Sequence, residues 1–152
     1  MLSLTLKTSA ADETEAAGAM LAKRLTDDST LPRFVALYGD LGVGKTAFVR
    51  GFASVLAPKA PVRSPTFALV NEYKGPTASL FHFDMYRITD EEDLYSIGYD
   101  DYLARDGFCL VEWSENIENA LPPHRLRVEI VKDRWDEPDS RLIKIEEITP
   151  LC

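Results

Sequence analysis

The sequence predicts a three-layer α/β sandwich around a sheet that mixes parallel and antiparallel strands. Three observations carry this. A short apolar run, RFVALY (33–38), leads into the glycine-rich turn GDLGVGK and then into a segment with helical spacing. A second apolar run, FCLVEW (108–113), reads as a strand buried on both faces, as strands of parallel sheets are. Two pairs of β-rich runs are each joined by a short turn, which makes antiparallel hairpins. Strands and helices interleave while two strand pairs are adjacent, so the sheet cannot be purely parallel.

The elements follow in order. In LSLTLK, Leu2, Leu4 and Leu6 alternate with polar positions, the pattern of a half-buried strand. Ser9 with Asp12 three positions later resembles a helix N-cap with an acidic N3. Ala17, Met20, Leu21 and Leu25 then form an apolar stripe. After the glycine-rich turn, Phe48, Phe52, Val55 and Leu56 fall on one helical face, and Pro58 ends that helix. FALVNEYK and SLFHFDMYR flank Gly75-Pro76 and predict the first hairpin. Thr89 and Glu92 form a capping box that opens a short helix through Leu94 and Ile97, with Gly98 as its stop. RLRVEIVK and RLIKIEEI alternate around the polar turn DRWDEPDS and predict the second hairpin.

Composition narrows the class. The chain has 152 residues, the size of one ordinary domain, and residues 1–152 are read as one. Hydrophobic residues make up 45%, enough for a substantial core. The net charge of −8 argues against a protein that grips nucleic acid mainly with its own surface. Two cysteines make no disulfide framework; Cys109 lies in an apolar run and Cys152 is the last residue. The opening MLSLTLKTSA lacks the apolar core of a signal peptide, and no apolar run is long enough to span a bilayer. These features predict a soluble cytoplasmic protein with no membrane partner.

The chemistry centres on Gly39-x-x-x-x-Gly44-Lys45-Thr46. Glycines let a backbone turn around an anion with its N–H groups pointing inward, and the following helix adds the positive end of its dipole. Lys45 would reach the β- and γ-phosphates, and the Thr46 hydroxyl would ligate Mg²⁺. With a strand before it and a helix after it, the motif makes the fold P-loop NTPase-like. Gly39, Asp40, Leu41, Gly42, Val43, Gly44, Lys45, Thr46 and Ala47 become the candidate nucleotide contacts.

Hydrolysis or transfer also needs a metal, an oriented nucleophile and a sensor of the γ-phosphate. Three segments could supply them. In RSPTFALVNEY, Thr66 follows Pro65 at a strand entry; it suits a switch threonine and equally a plain strand-entry residue. In HFDMYR, Asp84 interrupts an apolar strand, and an ionised Asp is rarely buried without a metal or a partner. A Mg²⁺ site is the favoured reading of Asp84, with a salt bridge to Arg87 as the alternative. His82 reads as a packed strand histidine, with no Cys/His spacing for zinc. In FCLVEWSE, four apolar residues deliver Glu112, a carboxylate placed for the metal and its water, and Trp113 follows at once.

Taken together and in this order, GDLGVGKT, SPTFALVNEY, HFDMYRI and CLVEW closely resemble the TsaE (formerly YjeE) family, over nearly the whole chain. The phosphate loop is common to very many proteins; its combination with S-P-T, H-x-D-x-Y-R and Glu-Trp is far more specific. The resemblance implies a bacterial ATPase, using ATP/ADP and Mg²⁺, that is required for N6-threonylcarbamoyladenosine in tRNAs reading ANN codons. It implies that the TsaB–TsaD heterodimer is the partner and that tRNA is met only through it, which fits the acidic balance. Carried over by motif, Gly42, Gly44, Lys45 and Thr46 hold phosphates and Mg²⁺, and Thr66 is the switch-like threonine. Asp84 and Glu112 serve hydrolysis, with Glu112 near the metal, and Trp113 lies near the nucleotide. Many members read G-A-G-K-T-T where this chain has Val43 and Ala47; the Ala47 N–H can still meet an α-phosphate.

Two other classes compete. A small P-loop kinase needs an arginine-bearing lid, for which DRWDEPDSR offers Arg134 and Arg141. A nucleotide-gated binding module with negligible turnover would leave Asp84 and Glu112 without a task. A GTPase lacks its base-reading N-K-x-D motif here.

Overall fold

The computed structural model describes residues 1–40, 42–63, 65 and 69–150. Seven strands form one sheet in the order β1-β7-β6-β2-β5-β4-β3. They are β1 (Ser3–Thr8), β2 (Phe34–Tyr38), β3 (Val70–Lys74), β4 (Ser79–Asp84), β5 (Phe108–Glu112), β6 (Arg125–Arg134) and β7 (Glu137–Ile148). β6, β2, β5 and β4 run parallel at the centre. Antiparallel partners flank them: β7 and β1 on one side, β3 on the other. The mixed sheet and both hairpins are as the sequence predicts. Among the described residues no helix is long and apolar enough to cross a membrane.

The all-apolar patterns of β2 and β5 are explained by their place: every residue of either strand is buried, because helices cover both faces. On one face lie α1 (Ala11–Asp27) and α2 (Lys45–Leu56), packed on Val35, Leu37, Leu110, Val128 and Ile130. Phe48 and Phe52 of α2 are fully buried there, and each such side chain contributes about 1.5–3 kcal/mol over its exposed state. The two helices touch backbone to backbone, since a Cβ at Gly51 would overlap the Glu15 carbonyl. On the other face, α3 (Glu91–Ser96), α4 (Tyr99–Ala104) and a 3₁₀ stretch (Ser114–Ala120) cover Phe34, Phe81, Phe83 and Val111. Tyr99 and Tyr102 pack edge-on against Phe83.

Several local predictions are corrected. The cap of α1 is Ala10, with no side-chain bond; Ser9 instead donates its N–H to Glu13. The buried hydroxyl pair Thr8–Thr14, 2.8 Å apart, fixes how the strand turns into that helix. The cap of α3 is Asp90, which accepts the Asp93 N–H, while Asp93 accepts from the Thr89 N–H. The capping box is therefore Asp90/Asp93, displaced one residue from Thr89/Glu92. Val55 is 37% exposed, and Val49 and Ala53 complete the buried face of α2 instead. Met20 is only partly buried at the core margin. α4 and the 3₁₀ stretch were not foreseen by periodicity.

Candidate functional site

The carboxyl ends of β2, β4 and β5 meet the start of α2 around one cavity of about 350 Å³. Gly42, Gly44, Lys45, Thr46, Asp84, Glu112 and Trp113 line it. This is where ligands bind in open α/β sheets. The loop from β2 reaches α2 through Gly42 at φ 79° and Gly44 at φ 105°, left-handed values that an L side chain resists. Gly44 is also the N-cap of α2, so the unpaired N–H groups of the first helical turn open onto the cavity with the positive end of the dipole.

Lys45 is 6% exposed, and its ammonium donates to the Gly39 carbonyl at 2.6 Å. It also lies 4.1 Å from the centre of the Trp113 ring. The loop thus holds its own cation in place before any anion arrives. Trp113 takes a left-handed backbone conformation, φ 59°, which costs on the order of 1–3 kcal/mol for a bulky residue. The Tyr86 ring lies tilted against the indole, their centres 5.0 Å apart. Tyr86 is itself held from below: Asn116 donates to the carbonyls of Met85 and Tyr86.

The two carboxylates are paired by the sheet. Asp84 and Glu112 are register partners on β4 and β5, and the Met85 N–H donates to the Glu112 carbonyl just beyond. Burial pushes the Asp84 carboxyl above its ordinary range; the Tyr86 N–H pulls it back and the Glu112 charge raises it further. Glu112 is buried, and its Oε2 lies 2.6 Å from Nε2 of His82. The alternative partner for Asp84 is not there: among the described residues Asp84 makes no ion pair with Arg87 and instead accepts the Tyr86 N–H at 3.0 Å.

Of the other candidates, Gly39 supplies the carbonyl for Lys45, and Asp40 is exposed outside the cavity lining. Val43 and Ala47 turn their side chains into the core. Leu41 and Thr66 lie outside the described residues. The sequence reading missed two participants. His82 was read as packing only, although its position two residues before Asp84 puts both on one face of β4. Arg141, read as a possible lid arginine, donates from Nε to the Val43 carbonyl at 2.7 Å and so pins the outside of the glycine turn from β7. Arg134 is paired with Asp136 at the hairpin tip.

A parallel central strand, a glycine turn at positive φ and a lysine opening the next helix define an α/β protein with a glycine-rich turn at the carboxyl end of its sheet. Within that class the match is specific. The family model described as "Threonylcarbamoyl adenosine biosynthesis protein TsaE" covers residues 8–142, and the chain belongs to the TsaE family. It is similar to the tRNA threonylcarbamoyladenosine biosynthesis protein TsaE of Bacillus subtilis, 44% identical over 68% of this chain and 64% of that protein. The Haemophilus influenzae protein of the same name is 41% identical over 73% of this chain and 68% of its own length. That of Treponema pallidum is 33% identical over 79% and 85%. The crystal structure of Bacillus subtilis YdiB matches with a TM-score of 0.72 at 30% identity, covering 97% of this chain and 86% of that one.

Proposed function

We propose that the chain binds ATP with Mg²⁺ in this cavity and hydrolyses it slowly, as an accessory component of tRNA threonylcarbamoyladenosine formation in the cytoplasm. Its partner would be the TsaB–TsaD heterodimer, acting on tRNAs that read ANN codons, with tRNA met only through that complex. The observation that carries the reading is the convergence of Lys45, Thr46, Asp84 and Glu112 on one cavity beside the glycine turn.

The donor set fits the metal. Thr46, Asp84 and Glu112 offer hard oxygen ligands, and Mg²⁺ favours one or two carboxylates with the remaining positions taken by water and phosphate. Bound there, Mg²⁺ would neutralise charge on the phosphate oxygens. The chain's own groups would do the rest. Backbone N–H groups of the loop would hold the phosphates. Lys45 would exchange the Gly39 carbonyl for a phosphate oxygen. Glu112 and Asp84 would orient the attacking water, and Trp113 with Tyr86 would cover the lysine side.

The test is phosphate release from ATP by the chain alone and with purified TsaB–TsaD and tRNA. Turnover dependent on Glu112 supports the reading. Transfer of phosphate to a small acceptor would make it a kinase, and binding without turnover would make it a gated module.

A further inference from the structure

His82 is a buried polar side chain beside Glu112 that the proposed hydrolysis leaves without a task. His82 is 2% exposed, lies in the middle of β4, and its Nε2 is 2.6 Å from Glu112 Oε2. Its register partner on β5 is Leu110, so the imidazole reaches along the helix-covered face, past one apolar layer, to the next same-face residue of β5. Nδ1 is buried and has no hydrogen-bond partner among the described residues. An imidazole buried this deeply with one nitrogen unpaired costs stability unless the other makes a valuable bond. A carboxylate can only accept, so an ionised Glu112 takes this bond from Nε2–H.

We infer that His82 is a positioning residue for Glu112. It donates Nε2–H to one carboxylate oxygen and so fixes the rotamer in which the other oxygen serves the cavity. The inference rests on the hydrolysis reading for its consequence but not for the contact itself. Three features support a positioning role over simple packing. The contact is short and water-excluded, where a hydrogen bond is electrostatically strongest. Among the described residues Glu112 has no other side-chain partner. The neighbouring carboxylate, Asp84, is held by a backbone N–H instead, so the two acids are oriented independently. Outer partners of a functional carboxylate typically change activity about 10–100-fold when removed.

The experiment compares wild type, His82→Leu and His82→Gln. His82→Leu keeps bulk without a donor, while His82→Gln keeps an N–H at similar reach. Nucleotide affinity is measured by calorimetry with ADP, turnover by phosphate release. The expected result is a loss of about 10–100-fold in kcat for His82→Leu, with ADP affinity within about twofold of wild type and partial recovery in His82→Gln. A His82→Leu protein that turns over at the wild-type rate overturns the proposal, as does a loss of turnover that His82→Gln does not recover at all. A second readout needs no activity: long-range ¹H–¹⁵N NMR of the imidazole. It is expected to show the proton on Nε2 in wild type and a changed signature in Glu112→Ala. A signature indifferent to Glu112→Ala refutes the contact. If wild type hydrolyses no ATP under any condition, the hydrolysis reading fails, and the NMR result alone decides whether His82 holds Glu112.

Discussion

Replacing Lys45 with alanine tests the phosphate site most directly, because the structure fixes what the ammonium gives up as well as what it gains. Truncating one member of a desolvated charge pair costs about 2–5 kcal/mol. Lys45 is 6% exposed, so solvent screening discounts little of this. The free protein, however, already occupies the ammonium with the Gly39 carbonyl at 2.6 Å, a charged hydrogen bond of about 1.5–3 kcal/mol that phosphate must displace. The net loss on mutation therefore falls in the lower half of the range, about 2–3.5 kcal/mol, or roughly 30- to 400-fold in ADP affinity. Calorimetry is the appropriate assay, since removing a cation 4.1 Å from the Trp113 ring changes the fluorescence baseline itself. A change of less than threefold would refute the assignment of Lys45 to phosphate.

Four further outcomes are expected. Glu112→Ala is expected to abolish turnover while leaving most of the ADP affinity, because on the proposed reading loop N–H groups and Lys45 would hold the phosphates and only the reaction would feel the missing carboxylate; Asp84→Ala is expected to resemble it, and normal phosphate release by either would make that residue structural. Adding ADP changes the intrinsic fluorescence through Trp113, which lines the cavity, and not through Trp135, which is 95% exposed at the hairpin turn; a signal that survives Trp113→Phe and disappears in Trp135→Phe reverses that assignment. Arg141→Leu frees the Val43 carbonyl and lowers ADP affinity several-fold with Lys45 intact, so unchanged affinity shows that the loop holds its shape alone. Glu147 is held below its ordinary carboxyl range first by His124, then by the Leu2 N–H, so its contribution to stability is full above the unfolded value of 4.5 and is lost as pH falls through the lower folded value. Glu147→Gln is accordingly expected to lower the melting temperature at pH 7, with the gap to wild type closing in acid; a gap independent of pH would assign the effect to packing.

What could be read in advance depended on how local the cause was. β2 and β5 announce themselves because full burial demands an unbroken apolar run, and the two hairpins because Gly75-Pro76 and the polar turn near Trp135 sit between alternating runs. The glycine turn before α2 was legible because its glycines answer a backbone requirement at fixed spacing. α4 was not, since its six residues carry two aspartates and are held by tertiary contacts, Tyr99 and Tyr102 against the Phe81 and Phe83 rings. The start of α3 slipped because Asp90 offers capping chemistry as good as that of Thr89, and the start of α1 because it opens at Ala10 without a side-chain cap, next to the buried Thr8–Thr14 pair. In the site, Lys45, Thr46, Asp84 and Glu112 were each suspect alone, but their meeting depends on the parallel β4–β5 register. Arg141 was beyond reach: 98 positions separate it from the Val43 carbonyl that it holds.

The pairing of β1 with β7 has a consequence for how the molecule comes into being. Ser3 faces Glu146 and Thr8 faces Arg141, so β1 can pair only once β7, made later, has left the ribosome. About 130 positions of chain lie between them, which at roughly 5–20 residues per second leaves β1 waiting on the order of 6–26 s. Closing that span costs about 4 kcal/mol in chain entropy by the logarithmic rule. The phosphate loop, β4 and β5 are all made in the interval, so the parallel centre can assemble first. β7, whose Arg141 braces the loop, arrives afterwards and takes its place between β6 and the waiting β1. The nascent protein would thus acquire the two carboxylates of its cavity before the brace on its glycine turn.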